Sequence, residues 1–202
     1  MSDLAVSQKL EVIDTIKDGI AIGTKNLGPI LVNVILWVLT IWIPYLNVGT
    51  TIGLGVGIVS KASRGEPIAM TEIFDSKYRK YMGEYFLAAG LVGAGVGVGV
   101  AFGIIPGIVI GFAWCLTLLL VVDKGKNPIE AITLSNQCTY GYKGKMFLIY
   151  FLFCVAFFIL FAIFSLIPVL GVLLNLALVF LLGFISIGLS ASIYKQLTEG
   201  VV

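Results

Sequence analysis

Residues 85–122 read YFLAAGLVGAGVGVGVAFGIIPGIVIGFAWCLTLLLVV and contain no Asp, Glu, Lys or Arg. A surface helix of a soluble domain needs a polar face, which this run cannot supply. Apolar runs longer than about 18 residues are typical of helices that cross a membrane. Pro106 lies near the middle, where its missing N–H and fixed φ interrupt a helix. The stretch therefore predicts two membrane-spanning helices joined by a turn.

The same pattern occurs twice more, in the charge-free stretches 26–60 and 146–194. Each stretch has an Ile-Pro dipeptide near its centre, and the prolines follow one another at an interval of 62 residues: Pro44, Pro106 and Pro168. We therefore predict an all-α integral membrane protein with six transmembrane helices, arranged as three Pro-tipped helical hairpins in a repeat of 62 residues. The predicted spans are 27–43, 46–60, 86–104, 107–122, 146–166 and 170–193.

The first hairpin is the shortest of the three. A span needs about 20 residues to cross about 30 Å of hydrocarbon, and the second arm of this hairpin, 46–60, falls short of that. This arm either crosses the membrane or dips in and returns, which requires its backbone to be buried in protein. The chain forms one membrane domain, 1–202, made of an N-terminal amphipathic segment (1–25), hairpin one (26–60), a cytoplasmic loop (61–84), hairpin two (85–122), a second cytoplasmic loop (123–145), hairpin three (146–194) and a C-terminal tail (195–202).

Composition and charge agree with a membrane location. Hydrophobic residues make up 59% of the chain and charged residues 12%, and the net charge of +2 is too small and scattered to indicate nucleic-acid binding. Charged residues occur throughout the first 25 positions, so no cleavable signal peptide is expected. Every Lys and Arg lies before or after a predicted hairpin, and none lies at a proline tip. The positive-inside rule therefore predicts that the N- and C-termini and the loops 61–84 and 123–145 are cytoplasmic.

The segments between the hairpins carry apolar residues at helical spacing. In the first segment these are Val6, Leu10, Ile13, Ile16 and Ile20, and in the second they are Phe74, Tyr78, Tyr81 and Tyr85. Such a pattern is typical of amphipathic helices that lie in the membrane interface on the cytoplasmic side. The alternative is that these helices pack on the cytoplasmic ends of the spans, and the sequence leaves both open.

Small residues recur every four positions in the first two hairpins. This spacing lets helix backbones approach closely in lipid, and it predicts helix packing at Gly49, Gly53, Gly57, Gly95, Gly99, Gly103, Gly107 and Gly111. The functional alternative is a subunit interface or a pore-lining seam. Asn33 and Asn175 are the polar side chains that cost most free energy in lipid, so we expect each to make an interhelical contact or to face a cavity.

Catalytic and metal-binding chemistry is sparse. The chain has no histidine, and its three cysteines are irregularly spaced, so neither a disulfide framework nor a metal site is expected. No predicted span contains Asp, Glu, Lys or Arg, which ion-coupled transporters usually require. The carboxylates between the spans are expected to be solvated loop charges: Glu66, Glu72, Asp75, Glu84, Asp123 and Glu130. No catalytic residue and no cofactor is predicted.

Several short motifs resemble a family of uncharacterised prokaryotic six-span membrane proteins. They are Arg64-Gly-Glu-Pro67 with Ile73-Phe74, Ile105-Pro-Gly107, Val122-Asp123, and Pro128-Ile-Glu-Ala131 followed by Ser135 and Gly141. The family is catalogued as a domain of unknown function, and some members are labelled as the membrane domain of glycerophosphoryl diester phosphodiesterase. The resemblance implies a six-span fold. It implies no hydrolase activity, because the hydrolase would be a separate soluble domain.

These observations favour a non-enzymatic membrane protein that is a subunit or scaffold of a membrane complex, or that organises lipids. Its expected partners are membrane lipids and either another membrane protein or further copies of the chain. The alternative is a small channel or permease for a neutral or apolar solute, with Asn33, Asn175 and the glycine seam lining the path. A lipid-modifying enzyme is the weakest alternative, because no acid/base pair is visible.

Overall fold

The computed structural model describes residues 10–200, and within that range the chain is helical with no β-strand. Residues 1–9 and 201–202, at the ends of the predicted N-terminal segment and C-terminal tail, lie outside the described residues. The α-helices are α1 (Val12–Lys25), α2 (Leu27–Thr40), α3 (Pro44–Ile52), α4 (Ile58–Ser63), α5 (Lys77–Lys80), α6 (Met82–Phe102), α7 (Ile104–Trp114), α8 (Thr117–Lys124), α9 (Pro128–Cys138), α10 (Lys143–Ser165) and α11 (Leu170–Thr198). A π-helical turn, Gly53–Gly57, joins α3 to α4, and a 3₁₀ turn covers Glu72–Phe74.

Among the described residues, four helical segments are long and apolar enough to cross a membrane. They are α6, the α7–α8 segment Ile104–Lys124, α10 and α11. A fifth is present if α1 and α2, which meet at a bend of 69°, count as one broken span. These apolar helices indicate a membrane protein, as the sequence predicts. The prediction of six spans is not confirmed.

The first predicted hairpin accounts for the difference. Helix α2 has 14 residues, about 21 Å at 1.5 Å per residue, which is too short for a hydrocarbon core of about 30 Å. Its return arm is a helical run of α3, the π-helical turn and α4, and therefore contains no single long α-helix. The two arms are tied together because the indole Nε1 of Trp37 donates a 2.9 Å hydrogen bond to the hydroxyl of Thr51.

Helix α1 packs antiparallel on the C-terminal half of α11. A Cβ added at Gly23 would lie 2.6 Å from the carbonyl oxygen of Phe184, and one added at Gly188 would collide with the carbonyl oxygen of Gly19. Only glycines permit backbones this close. The first amphipathic segment therefore packs on the end of a long apolar helix, which is the alternative to lying in the membrane interface. Ile13 and Ile20 of α1 remain exposed.

The prolines of the three Ile-Pro dipeptides all lie at or near a turn. Pro44 is the first residue of α3, a position that needs no backbone N–H. Pro106 lies in the first turn of α7, and the chain reverses at Gly103, whose φ is +147°. Pro168 lies between α10 and α11, where its carbonyl accepts a 2.7 Å hydrogen bond from the N–H of Leu170.

Outside the first hairpin, most of the described residues belong to one of two regions. The base comprises α1, the stretch 53–80, α8, α9 and the C-terminal half of α11 (184–198). It holds most of the buried residues. It also holds the ion pairs of the described residues apart from Lys145–Glu11, which joins α10 to the base. The arms comprise residues 86–113 and 147–183. In the arms most large apolar side chains are exposed.

Candidate functional site

Asn33 joins α2 to the loop that precedes α5. Its amide nitrogen donates 2.8 Å hydrogen bonds to the carbonyl oxygens of Pro29 and Ala69, and its amide oxygen accepts a 3.1 Å bond from the N–H of Ile73. The side chain is fully buried. Asn33 therefore satisfies backbone groups of a loop that turns back into the protein, and it does not face a cavity.

Glu72 lies at the centre of a buried charge cluster in the same loop. Its carboxylate accepts hydrogen bonds from the Lys61 ammonium at 2.7 Å, the Tyr78 hydroxyl at 2.7 Å and the Lys77 ammonium at 3.2 Å. Glu72 is only 4% exposed. The expectation that Glu72 is a solvated loop charge is therefore wrong, because three donors compensate for its lost hydration.

Asp123 is the second carboxylate that the sequence wrongly assigns to solvent. Its side chain is 8% exposed and forms an ion pair with Arg64, which also pairs with Glu66. Its other oxygen accepts a 2.9 Å hydrogen bond from the Tyr194 hydroxyl. The ion pair and the hydrogen bond from Tyr194 together link the end of α4, the end of α8 and the C-terminal half of α11, which are far apart in sequence.

The pKa values in this region follow from these contacts. Burial acts to raise the pKa of Glu72, but the hydrogen bonds from Lys61, Tyr78 and Lys77 outweigh it and hold that pKa below its ordinary value. Burial and the neighbouring Glu72 raise the pKa of Tyr78. For Arg64, the hydrogen bond to Glu66 is the largest cause that raises its pKa. At neutral pH Glu72 is therefore an ionised carboxylate, and the phenol of Tyr78 beside it is neutral.

The helix Ile104–Lys124 is interrupted at Cys115 and Leu116, between α7 and α8. Ser135 of α9 is fully buried and bridges the break: its hydroxyl donates to the carbonyl of Ala113 at 2.8 Å and accepts from the N–H of Leu116 at 3.2 Å. Thr139, one turn later, donates to the same Ala113 carbonyl at 3.2 Å. The side chains of Ser135 and Thr139, at the C-terminal end of α9, thus replace the backbone bonds that the break removes.

An inner cavity of about 250 Å³ borders both helix interruptions. Gly55 and Val56 of the π-helical turn line one side, and Cys115 and Leu116 of the break line another. π-helical turns and discontinuous helices occur frequently at functional sites of membrane proteins. The remaining lining residues include three with hydroxyl groups, Tyr85, Tyr150 and Ser190.

An apolar groove of about 700 Å³ lies beside the inner cavity, between α6, α7 and α10. Cys115 and Tyr150 border both spaces. The other lining residues are almost all aliphatic or aromatic: Val96, Val100, Ile104, Gly107, Ile108, Gly111, Phe112, Phe147, Phe151 and Cys154.

The glycines singled out by spacing have several different surroundings. A Cβ at Gly53 would lie 2.8 Å from the Cα of Ile73, and one at Gly99 would lie 3.0 Å from the Cα of Gly107. Added Cβ atoms at the others would meet side chains, namely Arg79 for Gly49, Tyr78 for Gly57, Trp114 for Gly95, Val100 for Gly107 and, at 3.5 Å, Pro106 for Gly103. At Gly111 nothing lies within 4 Å of that position, because this glycine faces the groove.

Asn175 lies in the arm formed by α10 and α11. Its amide nitrogen donates a 3.0 Å hydrogen bond to the hydroxyl of Ser165, which ties the two helices together near their turn. Its buried amide oxygen has no hydrogen-bond partner. Neither Asn175 nor Asn33 lines the groove or the inner cavity.

Sequence reasoning missed Gly19, Gly23 and Gly188, which make the closest approaches of α1 to α11. The spacing of Gly19 and Gly23 by four residues was the available signal. It also missed Ser135 as the bridge of the helix break. A single serine on an amphipathic helix gives no such signal, because its role depends on a partner 19 residues away.

Comparison with protein-family models, with curated proteins and with solved structures finds no match to this chain.

Proposed function

We propose that the protein is a non-enzymatic membrane subunit or scaffold that packs its arms against a partner within the bilayer. The observation that carries this proposal is the exposure of the arms. Only 6% of the most hydrophobic window of α10 and 11% of that of α6 is buried. The base, in contrast, is closely packed and hydrogen-bonded, so it has the properties of a rigid platform from which the arms extend.

The surface of α10 has the composition of a packing surface. The helix contains seven phenylalanines, and successive rings lie against one another, with Phe147 and Phe151 stacked at 5.8 Å and Phe157 and Phe161 at 5.7 Å between ring centroids. Aromatic side chains bury large areas and pair with defined geometry. They can therefore make specific contacts with a protein partner, whereas fluid lipid needs only an apolar surface.

The proposed topology places both termini and the loops 61–84 and 123–145 in the bacterial cytoplasm. The distribution of Lys and Arg supports this orientation. The base is then on the cytoplasmic side. The first hairpin, whose α2 is too short to cross, is proposed to be re-entrant. Asn33 supports this, because it satisfies backbone groups of the loop packed against α2.

Native mass spectrometry of the full chain, extracted directly into nanodiscs, tests the scaffold proposal. We expect an assembly of several copies or a stoichiometric complex with another membrane protein. Replacing the exposed Phe158 and Phe161 with alanine should dissociate it. Ile129→Ala is the control, because Ile129 is an exposed large apolar residue of the base and lies outside both arms. A strictly monomeric chain without a protein partner would refute the proposal.

A channel or permease for a neutral solute stays the alternative. The structure does not bring Asn33, Asn175 and the glycine seam into one path. Flux of water or small neutral solutes through liposomes that contain the purified chain would favour this alternative over the scaffold.

A further inference from the structure

The groove and the inner cavity lie next to each other and have chemically different linings. Cys115 and Tyr150 border both. The outer end is a surface groove between two arms, and the inner end lies among α6, α8, α11 and the π-helical turn. A ligand that fills both therefore has an apolar part that enters from the bilayer and a second part that reaches the helix interruptions.

The groove has the dimensions and the lining of an acyl-chain site. Along α7 it extends from Ile104 to Cys115, about 16 Å at 1.5 Å per residue, which is about half of the 30 Å hydrocarbon core. This is the depth that the chains of one leaflet occupy. The lining residues between these ends are aliphatic, aromatic or glycine, so the groove offers an alkyl chain dispersion contacts and no polar group to desolvate.

The inner end offers neutral hydrogen-bonding groups. Tyr85, Tyr150 and Ser190 line it, and the Tyr150 and Ser190 hydroxyls lie 3.5 Å apart. Among the residues that the structure describes, no Asp, Glu, Lys or Arg lines either space. A phosphate would therefore be buried without a counter-charge, which is costly in a low-dielectric site. A hydroxyl or an ester carbonyl can exchange hydrogen bonds with these side chains at no such cost.

We propose that the groove and the inner cavity together form a binding site for a neutral glycerolipid. One acyl chain would lie in the groove, and the uncharged glycerol hydroxyl would lie at the inner cavity. Diacylglycerol is the simplest lipid of this class. The site goes beyond the scaffold function, because it requires neither a protein partner nor transport.

Photolabelling of the purified full chain in detergent tests the site. The probe is a diacylglycerol with a diazirine in one acyl chain, and the comparison probe is the phosphatidic acid with the same chains. We expect the diacylglycerol label to map to α7 and to residues 147–154 of α10, with labelling by phosphatidic acid at least tenfold weaker. Equal labelling by the two lipids, or labels spread along the arms beyond the residues that line the groove, would overturn the proposal.

Two alternative substitutions are designed to block the groove. Gly111→Leu adds a side chain where nothing lies within 4 Å of the Cβ position, and we expect it to reduce diacylglycerol labelling at least tenfold. Gly97→Leu is the control, because Gly97 is equally unobstructed but lines neither space. Ile108→Trp, which fills the groove from the same helix, replaces Gly111→Leu if that variant does not fold. Unchanged labelling in the blocked variant would overturn the site.

The inner end is tested separately by the double variant Tyr150→Phe, Ser190→Ala. It removes two hydroxyls with little change in shape, so we expect the preference for diacylglycerol over phosphatidic acid to fall by at least threefold. An unchanged preference would show that the hydroxyls do not recognise the lipid and would overturn that part of the proposal. If Gly111→Leu removes an assembly in nanodiscs but leaves labelling intact, the groove is occupied by a protein helix and not by lipid.

Discussion

The base and the arms are stabilised in different ways, although both belong to one membrane chain. In the base, buried polar side chains are paired across elements, as at Glu72 and Asp123, and backbones approach through glycine, as at Gly188. In the arms, large apolar side chains are exposed. Lipid tails are as apolar as these side chains, so burial in lipid supplies no force that holds helices together. Close packing and hydrogen bonds in the base must therefore provide most of the stability.

The largest expected effect is at the closest helix approach in the base. Gly188→Ala would bring a Cβ against the carbonyl oxygen of Gly19 and within 2.8 Å of the backbone nitrogen of Gly23. Backbone atoms cannot rotate away, so α1 must separate from α11. We expect a loss of about 3 kcal/mol in the free energy of unfolding, measured by reversible unfolding in mixed micelles.

Gly183→Ala, on the same helix, is the control for this prediction. Nothing lies within 4 Å of the position of its Cβ. Alanine has the higher helix propensity, so this change should be neutral or stabilising by up to about 1 kcal/mol. Similar destabilisation by both substitutions would contradict the docking of α1 on α11.

The second prediction concerns the buried carboxylate of Glu72. Glu72→Gln removes the charge that compensates for Lys61 and Lys77, which lie at 2.7 and 3.2 Å. Both lysines are partly exposed and regain some hydration, so we expect a loss of about 2 kcal/mol rather than the full cost of breaking a buried pair. Glu66→Gln, at an exposed carboxylate, should change stability by less than about 1 kcal/mol. Thermal unfolding in detergent measures both.

The dependence of stability on pH tests the same carboxylate. The folded-state pKa of Glu72 lies below its ordinary value of 4.5. The stabilisation is therefore complete above about pH 4.5 and is lost as the pH falls through the folded pKa. The melting temperature of the wild-type chain should fall in this acid range, and the fall should be smaller in Glu72→Gln. An identical acid profile in the two chains would show that Glu72 is not stabilised as an anion.

The sequence predicts the long apolar helices better than it predicts the first hairpin. Charge-free stretches predict α6, the α7–α8 helix, α10 and α11, because the absence of charge is a local property that the bilayer itself requires. The first hairpin was not predictable in this way. Its charge-free stretch is the shortest of the three, the bend between α1 and α2 lies at its start, and its return arm contains the π-helical turn. Both features depend on the loop and helices packed around them.

The candidate site was less predictable than the fold. Glu72 and Asp123 occur between apolar stretches, where charges are normally solvated, and only tertiary contacts with Lys61 and Arg64 reveal that they are buried. The groove and the inner cavity are likewise products of tertiary structure, because three or more helices meet around each of them.

The third prediction tests the bridge between the base and an arm. Ser135→Ala leaves the N–H of Leu116 without its acceptor and the carbonyl of Ala113 with Thr139 alone. A buried backbone donor without a partner costs about 1–2 kcal/mol, and we expect that loss in the free energy of unfolding. In Ser186→Ala the lost hydrogen bond, at 3.1 Å, is to a carbonyl of its own helix. That control should change stability by less than about 0.5 kcal/mol, and an equal loss in both would exclude a special role for Ser135.

The smallest effect is expected at the turn of the longer arm, and its sign is opposite to the others. Val169 has φ +61° and ψ −60°, and the N–H of Leu170 donates across it to the carbonyl of Pro168. This is a strained γ-turn, which a β-branched side chain disfavours. Val169→Gly should therefore raise the free energy of unfolding by about 1 kcal/mol, because its side chain is exposed and contributes little packing. The same gain from Val172→Gly, a matched exposed valine inside α11, would contradict turn strain, since glycine within a helix should cost stability. A gain confined to Val169 would show that this arm retains strain that its few contacts do not offset.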